Sequence, residues 1–156
     1  MYLEQMIWVR KYQSLEANMK ALLVLGGNHM KLNDYINNAD EIICADSGAN
    51  YVIDQGFVPD VLLGDMDSIR HDVLQKCKTD DINIISYPKE KDMTDGQLAI
   101  LYAKEHNIDE IDIVCAQGSV DHFMGNLYLL VYAHSLKIRA ALHTIDEVVY
   151  ITDEKL

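Results

Sequence analysis

The stretch Val61-Leu62-Leu63-Gly64-Asp65-Met66-Asp67-Ser68 decides the fold of this chain. A short apolar run typical of a buried strand ends at a glycine, and two carboxylates follow it two residues apart. An acid also follows an apolar run at three other places, namely Asp46 after Glu41–Ala45, Asp92 and Asp95 after Asn83–Tyr87, and Asp121 after Ile111–Ala116. Four strands that each end in an acid-bearing loop predict a parallel sheet whose carboxylates meet at one edge.

Strand-like and helix-like periods alternate along the rest of the chain. The predicted strands are Lys20–Leu25, Glu41–Ala45, Val61–Leu63, Asn83–Tyr87, Glu110–Cys115, Lys137–His143 and Glu147–Thr152. The predicted helices are Ala49–Gln55, Ile69–Cys77, Asp95–His106 and His122–Leu136, with a weak helix or loop at Met30–Asn37. This order predicts an α/β fold of the Rossmann-like, doubly wound type, with a mostly parallel sheet flanked by helices in three layers.

Three residues are predicted to end or begin helices. Gly56 suits the C′ position after the predicted helix Ala49–Gln55, where a left-handed backbone is common. Ser68 and Thr94 are plausible N-caps for the helices that follow them, because a hydroxyl oxygen can accept a hydrogen bond from a free backbone N–H.

The chain has 156 residues, which suits one α/β domain, predicted over residues 19–145. Residues 1–18 form a separate N-terminal extension with apolar residues at helical spacing, including Leu3, Met6, Ile7 and Leu15. This extension is either a segment upstream of the natural start or an interaction helix. Residues 146–156 begin one more strand.

Composition excludes several classes of partner. The net charge is -12, from 13 basic and 25 acidic residues, which argues against nonspecific binding to nucleic acid. No apolar run reaches ~18 residues, so no membrane-spanning helix is expected. Cys44, Cys77 and Cys115 are scattered without metal spacing and suit buried, reduced thiols, and we expect a cytoplasmic protein.

Asp65 and Asp67 are the strongest local signal for a metal site. Two carboxylates at i and i+2 in a tight turn can reach one cation, and Gly64 lets the backbone approach a ligand. The spacing does not fit a calcium-binding EF-hand, because the sixth and twelfth positions are Arg70 and Lys76. A polar turn with a helix cap explains the motif equally well.

The other acid-bearing loops are also open to two interpretations. Lys91-Asp92-Met93-Thr94-Asp95 opens a helix whose N-terminus favours anions, and Lys91 can meet a phosphate, but a capping motif with solvated charges fits as well. Ala45-Asp46-Ser47-Gly48-Ala49-Asn50 allows close approach of a phosphate or is an ordinary polar loop. His122 and Asn126 share a helix face after Gln117-Gly118-Ser119-Val120-Asp121, and His122 is either part of a site or a residue that forms a hydrogen bond in the core or caps the turn.

Taken in order, these segments resemble the thiamine pyrophosphokinase family. The match runs from Ala45-Asp46-Ser47-Gly48-Ala49-Asn50 through Gly64-Asp65-Met66-Asp67-Ser68 and Lys91-Asp92-Met93-Thr94-Asp95 to Asp121-His122 with Asn126. The resemblance implies an Mg²⁺-dependent transfer of the diphosphoryl group of ATP to the hydroxyl of thiamine, giving thiamine diphosphate and AMP. It also implies a homodimer.

The resemblance assigns roles to residues of this chain. Asp65, Asp67 and Asp95 match the magnesium ligands, and Asp46 and Asp92 match acids beside them. The ATP contacts it implies are Ser47, Gly48, Asn50, Ser68, Lys91, Thr94, Gly118, Asp121, His122 and Asn126.

The chain departs from the family in two ways. The family pattern Gly-Gly-Arg-x-Asp-His reads Gln117-Gly118-Ser119-Val120-Asp121-His122 here, so Ser119 replaces an arginine that is a natural phosphate contact. Family members also carry a C-terminal β-sandwich, and residues 146–156 are expected to be its start.

Two alternative functions stay open from the sequence. One is a pyrophosphokinase for another alcohol, such as a pterin, on the same scaffold. The other is a nucleotide- or metal-binding module without activity, in which Ser119 has replaced the arginine. AMP formation from ATP, with and without thiamine, separates the three possibilities.

Overall fold

Seven strands alternate with five helices over residues 18–152, the part of the chain that the computed structural model describes. The strands are β1 Met19–Val24, β2 Glu41–Ala45, β3 Val61–Gly64, β4 Asn83–Ser86, β5 Ile108–Val114, β6 Arg139–His143 and β7 Val148–Tyr150. The helices are α1 Asn33–Ile36, α2 Gly48–Asp54, α3 His71–Thr79, α4 Asp95–Glu105 and α5 Val120–Ser135. The predicted N-terminal extension, apart from Asn18, and the last four residues lie outside the described residues.

The strands form one sheet in the order β4-β3-β2-β1-β5-β6-β7. Every neighbouring pair is parallel except β6 and β7, which are antiparallel. The predicted doubly wound, mostly parallel sheet is therefore confirmed. The strand order reverses between β1 and β5, and in open α/β sheets the crevice at the carboxyl ends of such strands is the usual place for a ligand.

Helices cover the sheet from both sides because its strands are apolar on both faces. Alternate residues of β1 point to opposite sides. Leu23 belongs to a core cluster that includes residues of α4 and α5, and Leu22 belongs to a second cluster that includes residues of α2 and α3. Both leucines are fully buried, and each such side chain stabilises the fold by roughly 1.5–3 kcal/mol. None of the helices within residues 18–152 has the length and apolar character needed to cross a membrane.

Two of the three predicted helix boundaries are confirmed. Thr94 caps α4 through a reciprocal pair of hydrogen bonds with Gln97, and Gly56 follows α2 with a φ of 82°. The prediction that Ser68 caps α3 is wrong, because α3 begins at His71 after Arg70, which has no capping side-chain bond. Ser68 instead donates its backbone N–H to the carboxylate of Asp46.

Two further boundaries differ from the prediction. Lys137 was predicted to start the sixth strand, but it has a φ of 60° in the turn after α5, and β6 begins at Arg139. Helix α5 starts at Val120, earlier than predicted, because Ser119 caps it by accepting a hydrogen bond from the backbone N–H of His122. The residue that stands in place of the family arginine therefore has a structural role at the helix start.

Candidate active site

Three neighbouring strands deliver acids to the carboxyl edge of the sheet. The parallel register pairs Ala45 with Leu63 and Gly64 with Ser86. Asp46 directly follows β2 and Asp65 directly follows β3, so the register places Asp46 next to Gly64, one residue before Asp65. Asp95 reaches the same edge from the first turn of α4.

Asp46 is the buried centre of this group, with only 9% of its surface exposed. Its backbone is left-handed, with a φ of 44°, and its Oδ2 accepts a hydrogen bond from the backbone N–H of Ser68 at 3.2 Å. Its Oδ1 is buried and has no hydrogen-bond partner. A buried acceptor without a partner is costly, which makes this oxygen a candidate ligand atom.

The charge state of Asp46 depends on its neighbours. Burial raises the pKa of Asp46 above its ordinary value, while hydrogen bonds from Ser68 lower it. Repulsion from the carboxylates of Asp65 and Asp95 raises the pKa further. These three acids therefore interact through space, and a cation placed among them relieves the repulsion.

Gly64 lets two of these acids approach each other. Its φ is +139°, and a Cβ built on it would lie 3.2 Å from Cβ of Asp46 and 3.3 Å from Oδ2 of Asp95. Any side chain at this position would press against both acids and strain the backbone. Gly64 was predicted to let the backbone approach a ligand, and in the structure its missing side chain leaves room for Asp46 and Asp95.

Lysines from the loop between β4 and α4 contact two acids of the group. Lys89 Nζ lies 2.6 Å from Asp67 Oδ2, and Lys91 Nζ lies 2.9 Å from Asp95 Oδ1. Asp95 Oδ1 is nevertheless buried without a hydrogen bond, so its contact with Lys91 is an ion pair by distance only. The backbone N–H of Asp67 donates to Asp65 Oδ1 at 3.0 Å, which fixes the turn between them.

The carboxylates at this edge are chemically suited to Mg²⁺, but their oxygens do not surround a single point. Carboxylate oxygens are the ligands that Mg²⁺ prefers, and Asp46 Oδ1 and Asp95 Oδ1 are buried oxygens without hydrogen bonds. Within residues 18–152, however, no three His, Cys, Asp or Glu side chains are arranged to hold a metal ion. The structure brings Asp46, Asp65 and Asp95 together, turns Asp67 to Lys89, and leaves Asp92 exposed.

The loops that follow β1 and β5, where the strand order reverses, contain three residues that are not among the predicted site residues, namely Gly27, Asn28 and Gln117. The backbone N–H of Gly27 donates to the carbonyl of Cys115 at 2.7 Å. Three hydrogen bonds join Asn28 and Gln117. The backbone N–H of Asn28 donates to the carbonyl of Gln117, the side-chain amide of Asn28 donates to Oε1 of Gln117, and the backbone N–H of Gln117 donates to Oδ1 of Asn28. A Cβ on Gly27 would overlap the carbonyl of Gln117, so only glycine fits. No local pattern in the sequence marks these residues, because it is the strand order that brings the two loops together.

The predicted nucleotide contacts divide into two groups. Gly48 packs against the carbonyl of Val24, Asn50 accepts a hydrogen bond from the backbone N–H of Arg70, and Asn126 donates to the carbonyl of Ala116. These contacts hold loops in place. Ser68, Thr94, Gly118, Asp121 and His122 are exposed at the same edge, although the backbone N–H of Ser68 donates to Asp46 and the hydroxyl of Thr94 caps α4. Ser47 and Lys91 are half-buried beside them.

A family model described as the catalytic domain of thiamin pyrophosphokinase matches residues 32–142. Thiamine pyrophosphokinase of Bacillus subtilis is 34% identical over 112 residues, which are 69% of this chain and 52% of that protein. Thiamine pyrophosphokinase 2 of Arabidopsis thaliana is 31% identical over 133 residues, or 70% of this chain and 50% of that protein. The chain spans about half the length of the curated relatives it matches.

Solved structures agree with the sequence relatives. The crystal structure of thiamine pyrophosphokinase from Bacillus subtilis superposes with a TM-score of 0.70 at 29% identity, covering 80% of this chain and 60% of that one. Thiamin pyrophosphokinase from Candida albicans has a TM-score of 0.72 at 20% identity, covering 82% of this chain and 59% of that one, and shows the shared fold.

Proposed function

This chain belongs to the thiamin pyrophosphokinase catalytic-domain family, and we propose that it provides the α/β part of an ATP-dependent thiamine diphosphokinase. The products are thiamine diphosphate and AMP. The observation that carries the proposal is the buried, unpartnered carboxylate oxygen of Asp46, which lies beside Asp65 and Asp95 at the carboxyl edge of the sheet. Folding alone gives no reason to gather like charges there.

The reaction needs positioning and charge neutralisation more than covalent chemistry by the protein. The hydroxyl oxygen of thiamine attacks the β-phosphorus of ATP, the bond between that phosphorus and the α–β bridging oxygen breaks, and AMP leaves. Asp65, Asp67 and Asp95 are the proposed ligands of Mg²⁺, an ion that neutralises charge on phosphate oxygens when bound. Lys91 supplies a further positive charge at this edge.

Asp46 is the better placed of the two acids proposed to accept the proton of the attacking hydroxyl. Its pKa is raised by burial, which brings a carboxylate closer to the proton affinity that general-base catalysis at neutral pH requires. Asp92 is the second candidate, but it is exposed on the loop before α4.

AMP formation tests the proposal. The chain, extended to the length of its relatives, is incubated with Mg²⁺ and ATP, with thiamine or a pterin alcohol as acceptor. We expect AMP only with thiamine, and we expect Asp67→Asn to reduce turnover by orders of magnitude, about 10²-fold or more, without unfolding the domain. AMP formed only with the pterin alcohol would contradict thiamine as the acceptor. ATP binding without any formation of AMP would indicate a module without activity.

We propose a homodimer in the cytoplasm. Helix α5 exposes apolar side chains on one face at helical spacing, namely Val120, Met124, Tyr128 and Val131. A contiguous apolar stripe of this kind marks an interaction surface, and a second copy is the occupant we propose. The three cysteines are free and buried, which suits a reducing compartment. Sedimentation velocity of wild type and Tyr128→Lys tests the dimer, which the lysine should weaken.

A further inference from the structure

Two lysines already pair with acids that the proposed function gives to the cation. Lys89 Nζ lies 2.6 Å from Asp67 Oδ2, and Lys91 Nζ lies 2.9 Å from Asp95 Oδ1. Both lysines come from the loop between β4 and α4, whereas Asp67 comes from the loop after β3. The ammonium groups thus neutralise two of the three proposed cation ligands.

An ammonium group and a divalent cation cannot both bind closely to the same carboxylate oxygen. Mg²⁺ binds carboxylate oxygens at about 2.0–2.1 Å, and it repels an ammonium group that contacts the same oxygen. The exposures of the two lysines differ, because the side chain of Lys89 is 77% exposed and that of Lys91 is 15% exposed. Lys89 can therefore leave its acid for solvent or for another anion at little cost.

We propose that Lys89 and Lys91 are internal counter-ions that compete with the divalent cation for Asp67 and Asp95. When the cation takes the carboxylates, the displaced ammonium groups bind phosphate oxygens of the nucleotide. This exchange rests on the proposed function, since the cation and nucleotide are those of that reaction. It makes both lysines positioning residues for the triphosphate.

The exchange accounts for the open arrangement of the acids. The carboxylate of Asp67 contacts Lys89, and no three acids within residues 18–152 are arranged to hold a metal ion. The exchange also couples the two ligands. Nucleotide that captures the lysines raises the affinity for the cation, and by reciprocity the cation raises the affinity for the nucleotide.

Lys89→Met gives the sharpest test, because it removes the charge but keeps a long apolar side chain. Isothermal titration with Mn²⁺ in the absence of nucleotide measures the first half of the exchange, and we expect Lys89→Met to bind Mn²⁺ about two- to fivefold more tightly than wild type. Titration with α,β-methylene-ATP, which cannot be cleaved between the α- and β-phosphorus, measures the second half at saturating Mn²⁺. We expect the variant to bind this analogue several-fold more weakly.

Lys76→Met is the matched control. Lys76 also pairs with an acid, Asp80 at 2.7 Å, but both residues lie at the end of α3, away from the site. We expect this variant to match wild type in both titrations. Circular dichroism confirms that each variant is folded.

Opposite changes in the two affinities are the signature of the exchange. Unchanged or weaker Mn²⁺ binding by Lys89→Met, or tighter binding of both ligands, overturns it, and if wild type binds Mn²⁺ the proposed function stands. If folded wild type and variants all fail to bind Mn²⁺, the acids are not a cation site, and the metal part of the proposed function fails together with the exchange.

Discussion

Replacing Asp46 by Asn should stabilise the folded protein while it abolishes the proposed diphosphoryl transfer. Asp46 is 9% exposed, and its Oδ1 has no hydrogen-bond partner. A buried polar group left without a partner costs roughly 1–3 kcal/mol. The amide of Asn removes the charge and can donate a hydrogen bond to a neighbouring carboxylate, so we expect the free energy of unfolding at pH 7 to rise by about 1 kcal/mol.

The gain should depend on pH with a defined sign. Folding raises the pKa of Asp46 above its ordinary value, so the folded protein holds this proton more tightly than the unfolded chain. That contribution to wild-type stability is complete at a pH below the pKa of Asp46 in the unfolded chain. It is lost as the pH rises through the pKa of Asp46 in the folded protein. The asparagine variant does not titrate here, so its advantage should be large at pH 7 and shrink as pH falls toward 4.

Thermal unfolding followed by circular dichroism measures this advantage. An increase of about 1 kcal/mol corresponds to a rise in Tm of about 2–4 °C for a chain of this size. Asp121→Asn is the control, because Asp121 is exposed at the start of α5, and it should shift stability by no more than about 0.5 kcal/mol. A lower Tm for Asp46→Asn at pH 7 would refute the reasoning, since it would mean that the carboxylate is satisfied in the folded protein.

Three further predictions follow from single contacts. Gly27→Ala should destabilise the fold by about 1–3 kcal/mol in urea unfolding, because the added Cβ overlaps the carbonyl of Gln117. Gly125→Ala is the control: the added Cβ has open space in α5, so this variant should stabilise the fold by up to ~1 kcal/mol. Thr94→Ala should cost about 0.5–2 kcal/mol in the same assay because it removes the cap of α4; an unchanged midpoint would contradict this. Burial raises the pKa of the Cys115 thiol to about 11, so iodoacetamide at pH 8 should leave it unmodified until urea is added, as mass spectrometry can show.

The sequence predicted the parts of the fold that depend on local pattern. Apolar strands that alternate with helix periods predicted the parallel sheet, and Thr94 as an N-cap predicted the start of α4. The acids at the carboxyl edge followed from the same alternation, because parallel strands end at one edge.

The parts that the sequence did not predict depend on contacts between distant residues. Ser68 looks like a helix cap in its own loop, but the carboxylate of Asp46, 22 residues earlier, accepts its N–H. The bonds between Asn28 and Gln117 join residues 89 positions apart. No local pattern distinguishes these side chains from ordinary loop residues, because their partners are set by strand order and register.

The acidic edge is itself an argument for function, because it conflicts with the stability of the domain. The core beneath the acidic edge is apolar, yet Asp46 is buried at the border of this core near two other acids, Asp65 and Asp95. Lys89 and Lys91 relieve only part of this repulsion, since the Oδ1 atom of Asp46 has no partner. A sequence shaped only for folding would place an apolar or neutral residue at position 46. The like charges at this edge are therefore best explained by a positively charged ligand, as the proposed function requires.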